Sequence, residues 1–178
     1  MDKAPPEYWL RGSIKGVPDL LQPAAHALLQ SKLEAYKYTK SFDETLLWKT
    51  PHSRASVGFH LQHITGVLDR MLSYAQEKSL SEVQFKELEN EGVPNAEITI
   101  DTLCRNFDTK VEKAIDYFKK LHHTELTSKR CVGRQELPST LIGVLFHAAE
   151  HSQRHIGQLL VTVSSLKSKD SEAKSALL

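Results

Sequence analysis

The sequence predicts an all-α protein, a four-helix bundle, and three observations carry that prediction. Four separate stretches repeat apolar residues at intervals of three and four, recognisable helix start signals precede them, and strand-like alternation of apolar and polar residues is scarce. Four amphipathic helices packed together are the smallest closed way to bury four apolar stripes. With 178 residues the chain suits one domain, 1–178, with its core over about 17–166 and a polar C-terminal tail over 167–178. That length buries a core large enough to fold without disulfides or a structural metal.

The first helix is predicted from about Pro18 to Thr39, because Leu20, Leu21, Ala24, Ala25, Leu28, Leu29, Leu33 and Tyr36 recur at helical spacing after Gly12, Gly16 and Pro18. Pro23 falls near its start, where a missing backbone donor costs least. A connector through Leu46–Pro51 leads to Ser56, a suitable N-cap, and then to a second helix carrying Val57, Leu61, Ile64, Val67, Leu68, Met71 and Leu72 on one face. Residues 78–98 are charged and broken by Gly92 and Pro94, so they read as a long connection with one short helix over Glu82–Glu89. Thr99 or Asp101 can cap a third long helix, whose Ile100, Leu103, Phe107, Val111, Ala114, Phe118 and Leu121 again step by three and four. The stretch 122–137 reads as a loop with an extended piece around Cys131–Val132. Pro138-Ser139-Thr140 then signals the start of a fourth helix to about Leu166, with Ser139 or Thr140 as its cap and a frayed polar segment beyond.

Composition excludes several classes of function. The 23 basic and 22 acidic residues nearly cancel, and no lysine or arginine cluster stands out, so nucleic acid is a poor partner. No apolar run approaches the roughly 20 residues needed to span a bilayer. Cys104 and Cys131 lack the spacing of a redox or zinc motif, and the first residues, Met1-Asp2-Lys3-Ala4, begin no apolar signal core; the chain reads as a reduced, cytoplasmic protein.

What remains is histidine. His151 and His155 lie one turn apart on the fourth helix, and His147 extends the stripe by another turn. On a helical projection His147, His151, His155 and Gln158 share a narrow arc bordering the apolar face of Leu141, Leu145, Ala148, Ile156 and Leu159. On the second helix His60 falls inside the apolar arc, and His63 lies at its edge, about 100° from Ile64. Neutral imidazole is the commonest side-chain ligand for zinc, nickel and iron(II), and three such ligands leave positions open for water or substrate. Yet among nine histidines an i, i+4 pair arises by chance about half the time, so spacing alone reads equally well as a polar helix face. Glu150 and Arg154 sit on the solvent side of the stripe, where they could serve as proton carrier and anion clamp or form a plain surface ion pair. His60 reads as a buried, hydrogen-bonded histidine, and His26 as one without an evident partner. Trp9 and Trp48 read as packing anchors, and Cys104 as a small core residue. Tyr8–Gly12 reads equally as a cover for the site or as a packing arm.

Two segments carry a resemblance. Ser56-Val57-Gly58-Phe59-His60-Leu61-Gln62-His63-Ile64 and His151-Ser152-Gln153-Arg154-His155-Ile156-Gly157-Gln158, with Trp9-Leu10-Arg11-Gly12 and Leu137-Pro138-Ser139-Thr140 in support, make the chain similar to the DinB-like (DinB/YfiT) superfamily of metalloenzymes over nearly its whole length. The resemblance implies a four-helix bundle, often dimeric, that holds one divalent metal through three histidines. By position these are His63, His151 and His155, although burial alone favours His60 over His63. It assigns no role to His60 and His147, which with Arg154 and Gln158 are expected around the metal or its pocket, while Glu150 is the candidate catalytic group. Zinc or nickel is the expected metal, with iron and manganese as alternatives. Characterised relatives include transferases and isomerases that use low-molecular-weight thiols, and others are described as hydrolases. A metal serves both, by holding a thiol as thiolate or by lowering the pKa of water. The expected partner is a small-molecule substrate, and the expected assembly a homodimer. The rival class is a non-catalytic dimeric bundle acting as a metal-binding or protein-interaction module.

Overall fold

The computed structural model describes residues 5–175, with side chains through Lys167. The two chain ends, residues 1–4 and the last part of the expected tail, 176–178, lie outside the described residues. Helix α1 spans Gln22–Thr39 with Pro23 in its first turn. The periodicity that suggested a start at Pro18 includes a separate 3-10 turn over Asp19–Leu21. There the Gln22 side chain accepts from the Ile14 amide and donates to the Ile14 and Val17 carbonyls, which pins the incoming chain.

Helix α2 spans Val57–Ala75 and is capped by Ser56, whose Oγ accepts from the Phe59 amide. Trp48 of the connector lies against Gly58, where a Cβ would overlap the indole, and its Nε1 donates to the Asn95 carbonyl. Short helix α3 (Glu82–Glu89) opens with a reciprocal Ser81/Gln84 capping box. Helix α4 spans Ile100–Phe118, and of its two candidate caps Thr99 is the one used.

The extended piece expected around Cys131–Val132 within the loop 122–137 is present, and it has a partner strand. Lys129–Val132 (β1) and Leu137–Thr140 (β2) form an antiparallel hairpin, in which Pro138 stands opposite Cys131. Pro138 and Ser139 therefore belong to a strand rather than to a helix start. Thr140 alone caps α5, by accepting from the Gly143 amide. Helix α5 spans Leu141–Ser175, so its backbone continues past the expected end at Leu166. No glycine or proline interrupts that stretch, and lysine, glutamate and alanine favour helix without needing a core to bury in.

The four long helices pack in the cyclic order α1, α5, α2, α4. Contacts at both ends fix their directions. Helices α1 and α5 run parallel, with Ser31 beside Gln153 and Lys40 beside Lys167. Helices α2 and α4 also run parallel, with Asp69 beside Lys110 and Ala75 beside Tyr117. The α2/α5 pair is antiparallel, because His60 meets Thr162 while His63 meets His151. Parallel neighbours cannot be joined by a tight turn, so the long segment 76–99 has to travel back along the bundle, bringing α3 and Glu91 against α2. One continuous core runs through the bundle, with Leu28, Leu61, Ile64, Leu68, Phe107, Phe118, Leu145 and Ile156 almost wholly excluded from solvent. Among the described residues no helix is long and apolar enough to cross a membrane.

Candidate metal centre

Helices α2 and α5 are antiparallel neighbours, so a histidine near the start of α2 faces the middle of α5. One ring nitrogen from each of His63, His151 and His155 lies within 4.8 Å of the other two. His63 Nε2 and His151 Nε2 face each other at 2.9 Å, and the His155 ring centroid is 4.5 Å from that of His63 and 4.6 Å from that of His151. The i, i+4 spacing on α5 supplies two of these rings, and the third comes from the neighbouring helix. All three are half-buried, with water on one side.

The outward-facing nitrogens of two of the rings are engaged. His155 Nδ1 lies 3.1 Å from Nδ1 of His60, whose Nε2 lies 3.5 Å from Thr162 Oγ1. His60 is 4% exposed, so it stands behind His155 and away from the open side. His63 Nδ1 lies 2.5 Å from Glu91 Oε2, and Arg70 Nη1 donates to the other Glu91 oxygen at 2.8 Å. His151 Nδ1 is buried and has no hydrogen-bond partner among the described residues. Phe59 stacks on His63 with centroids 5.0 Å apart.

The electrostatics favour neutral rings. Burial, reinforced by the nearby His63 ring, pushes His60, His151 and His155 down to about 4, so each keeps a lone pair at neutral pH. Burial also works to raise Glu91, but the hydrogen bonds from His63 and Arg70 and the Arg70 charge outweigh it and hold the carboxyl below its ordinary range. Converging imidazoles, with part of their outer hydrogen bonding already satisfied, are a donor set suited to zinc or nickel.

The remaining sequence candidates lie around this cluster. His147 Nδ1 is 2.9 Å from Glu150 Oε1, and Arg154 donates to Glu150 Oε2 at 2.6 Å, all on the solvent side of α5. His147, Glu150 and His151 also bring one potential ligand atom each within 4.8 Å of one another. Burial opposes ionisation of Glu150, and the hydrogen bonds and charges of Arg154 and His147 together more than compensate, so its pKa is lowered. Gln158 is exposed. His26 has a partner after all, the Gly12 carbonyl at 2.9 Å. Trp9 is 64% exposed and is not a packing anchor, its indole bonding only to neighbouring Glu7. The arm that carries it docks on α1, where the Tyr8 amide donates to Gln30. Cys104 is buried in the core, as a small apolar residue would be.

Glu91 and Arg70 are the residues that reading the sequence misses. Glu91 is one carboxylate in the charged run Glu87-Leu88-Glu89-Asn90-Glu91, and nothing local distinguishes it. Arg70 did carry a signal. It lies two turns from His63 on the same stripe of α2, and an arginine facing the bundle interior requires a carboxylate. The loop bearing Glu91 is held by the Gly92 amide donating to Gln62, and Gly92 itself, at φ +82°, packs on Phe59. A cavity of about 720 Å³ between α2, α3 and α4 has Glu91, Gly66 and Gln62 in its wall, but none of the cluster's histidines lines it.

None of the curated proteins is similar enough to this chain to match it. The model of the DinB superfamily matches residues 26–159, which takes in most of α1, all of α2 and α4, and α5 as far as Leu159, and so includes every histidine of the cluster. The all-α bundle agrees with what the sequence segments implied, and the chain belongs to the DinB superfamily.

Proposed function

We propose that this protein is a metal-dependent enzyme in which His63, His151 and His155 hold one divalent transition metal, zinc or nickel ahead of iron or manganese. Its substrate is a small molecule, and the reaction is thiol-dependent transfer or hydrolysis. The observation that carries this reading is the convergence of three imidazole nitrogens from two helices within 4.8 Å, on the wet flank of a bundle that does not need them for its core. When bound, such a metal would stabilise a low-molecular-weight thiol as thiolate or acidify water. The protein's own groups do the rest. Glu150 is the carboxylate beside His151 on the solvent side, suited to carry a proton, and Arg154 next to it is suited to receive an anionic group. His147 and Gln158 line the same approach, while His60 keeps the His155 ring oriented from behind. The exposed Phe146, Leu160 and Val161 of α5 are apolar surface that suits a homodimer, and the cytoplasm is the compartment that suits free thiols.

Metal analysis of protein purified without an affinity tag tests the reading. About one transition-metal ion per chain is expected, and His151→Ala should lose it while remaining folded. A parent protein that binds no zinc, nickel, iron or manganese ends the proposal. Transfer of a thiol onto an electrophile, assayed with and without metal, then separates transfer from hydrolysis.

A further inference from the structure

The geometry assigns to Glu91 a role that nothing in the histidine motifs specifies: it is the positioning residue that fixes the tautomer of His63 and thereby sets the metal affinity of the site. This rests on the reading of His63 as a ligand. A carboxylate offers only acceptors, so a bond to His63 Nδ1 at 2.5 Å requires the ring proton on that nitrogen. A neutral imidazole carries one ring proton, and Nε2, 2.9 Å from His151 Nε2, is therefore left with its lone pair directed into the cluster. Without Glu91 the ring could place its proton on either nitrogen and turn about its χ2 axis, and only part of that population would present a ligand atom.

Glu91 cannot turn away either, because its second oxygen is held by Arg70 at 2.8 Å, and the two side chains are only 6% and 8% exposed. Gly66 leaves the space they fill: a Cβ there would come within 2.5 Å of Glu91 Oε1 and 2.7 Å of Arg70 Nη1. The loop is itself anchored through Gly92 and Gln62. Five residues from two segments, α2 and the loop after α3, thus support one contact to one nitrogen of one histidine. His155 has a neutral counterpart in His60, whereas His151 has none.

The test uses the full chain, as parent, Glu91→Gln, and the double variant Glu91→Gln/Arg70→Met, which removes both buried charges and covers the case in which Arg70 left alone impairs folding. Two measurements are made. Competition of zinc and cobalt(II) against a chelator of known affinity should show one site in all three proteins, about 10- to 100-fold weaker in the variants. Imidazole ¹⁵N spectra of the metal-free proteins should show His63 protonated on Nδ1 in the parent and a mixed tautomer in the variants, a change that loss of packing alone would not produce. Variants that keep both the parent affinity and the parent tautomer overturn the role of Glu91 while leaving the metal site standing. A parent that binds no metal removes the metal site instead, and the tautomer measurement then decides for or against Glu91 by itself.

Discussion

The molecule builds the same trio of side chains twice, histidine to carboxylate to arginine, in opposite surroundings. In His63–Glu91–Arg70 the carboxylate and guanidinium are 6% and 8% exposed, and the members come from α2 and from the loop after α3. In His147–Glu150–Arg154 they are 28% and 55% exposed, and all three come from successive turns of α5. The bond lengths are comparable, at 2.5 and 2.8 Å in the first and 2.9 and 2.6 Å in the second. What differs is the solvent. In water an exposed pair exchanges one set of hydrogen bonds for another, whereas in the interior a lost partner leaves a charge with nothing to replace it. Geometry alone would rank the two trios together, and burial separates a solvated trio, whose members are free to move and exchange partners with water, from one suited to hold a ring in place.

Truncating the carboxylates makes the largest difference measurable. Glu91→Ala should destabilise the metal-free protein by about 3–5 kcal/mol, because it strands Arg70 and frees His63, while Glu150→Ala should cost less than about 1 kcal/mol. Denaturant unfolding of both variants decides the matter, and equal effects would erase the distinction.

Acid extends the comparison to the rings behind the buried trio. His60, His151 and His155 are held at about 4 against about 6.5 in the unfolded chain, so unfolding takes up protons below neutrality. The stability they contribute is complete above pH 6.5 and is lost as the pH falls towards 4, with His60 alone responsible for roughly 3 kcal/mol by pH 4. Glu91 acts in the same direction, since its lowered pKa gives stability that is lost on protonation. Unfolding of the metal-free protein across this range should show the fall, and His60→Gln should make it shallower. A flat profile in the parent would mean that these rings are not held neutral.

Two glycines offer the smallest and cleanest contrast. Gly66→Ala presses on the Glu91–Arg70 pair and should cost about 1–3 kcal/mol. Gly157→Ala, on the exposed side of α5 with nothing within 4 Å of the new Cβ, should stabilise by about 0.5–1 kcal/mol through helix propensity. Thermal unfolding of the pair gives the sign of each, and a neutral Gly66→Ala would show that the buried trio has room to yield.

Much of the architecture was legible because it follows from local periodicity and capping. Ser56 and Thr99 each begin a helix by accepting a backbone amide three residues ahead, a pattern visible without any tertiary knowledge. Helix α3 occupies the range its charges and apolar spacing suggested. Of the β1–β2 hairpin only the extended piece around Cys131–Val132 was legible; β2 was not, because Leu137 and Pro138 are exposed and the strand carries no alternating apolar face to announce it. Of the candidate site, the α5 histidines and the exposed trio could be found because their members stand three or four residues apart on one helix. The buried trio could not, since 21 residues separate Arg70 from Glu91 and 28 separate His63 from it.

The sequence by itself determined that four amphipathic helices would form, where the second and third would start, and that His151 and His155 would share a face, because each of these depends on neighbours within two turns. Only the tertiary structure decided which histidine of α2 would face them. The antiparallel packing of α2 on α5 turned His63 to the open side and put His60 behind His155. The return path of the long connection between two parallel helices then delivered a carboxylate to the back of His63. Both outcomes depend on contacts between residues distant in the chain, and no local pattern encodes them.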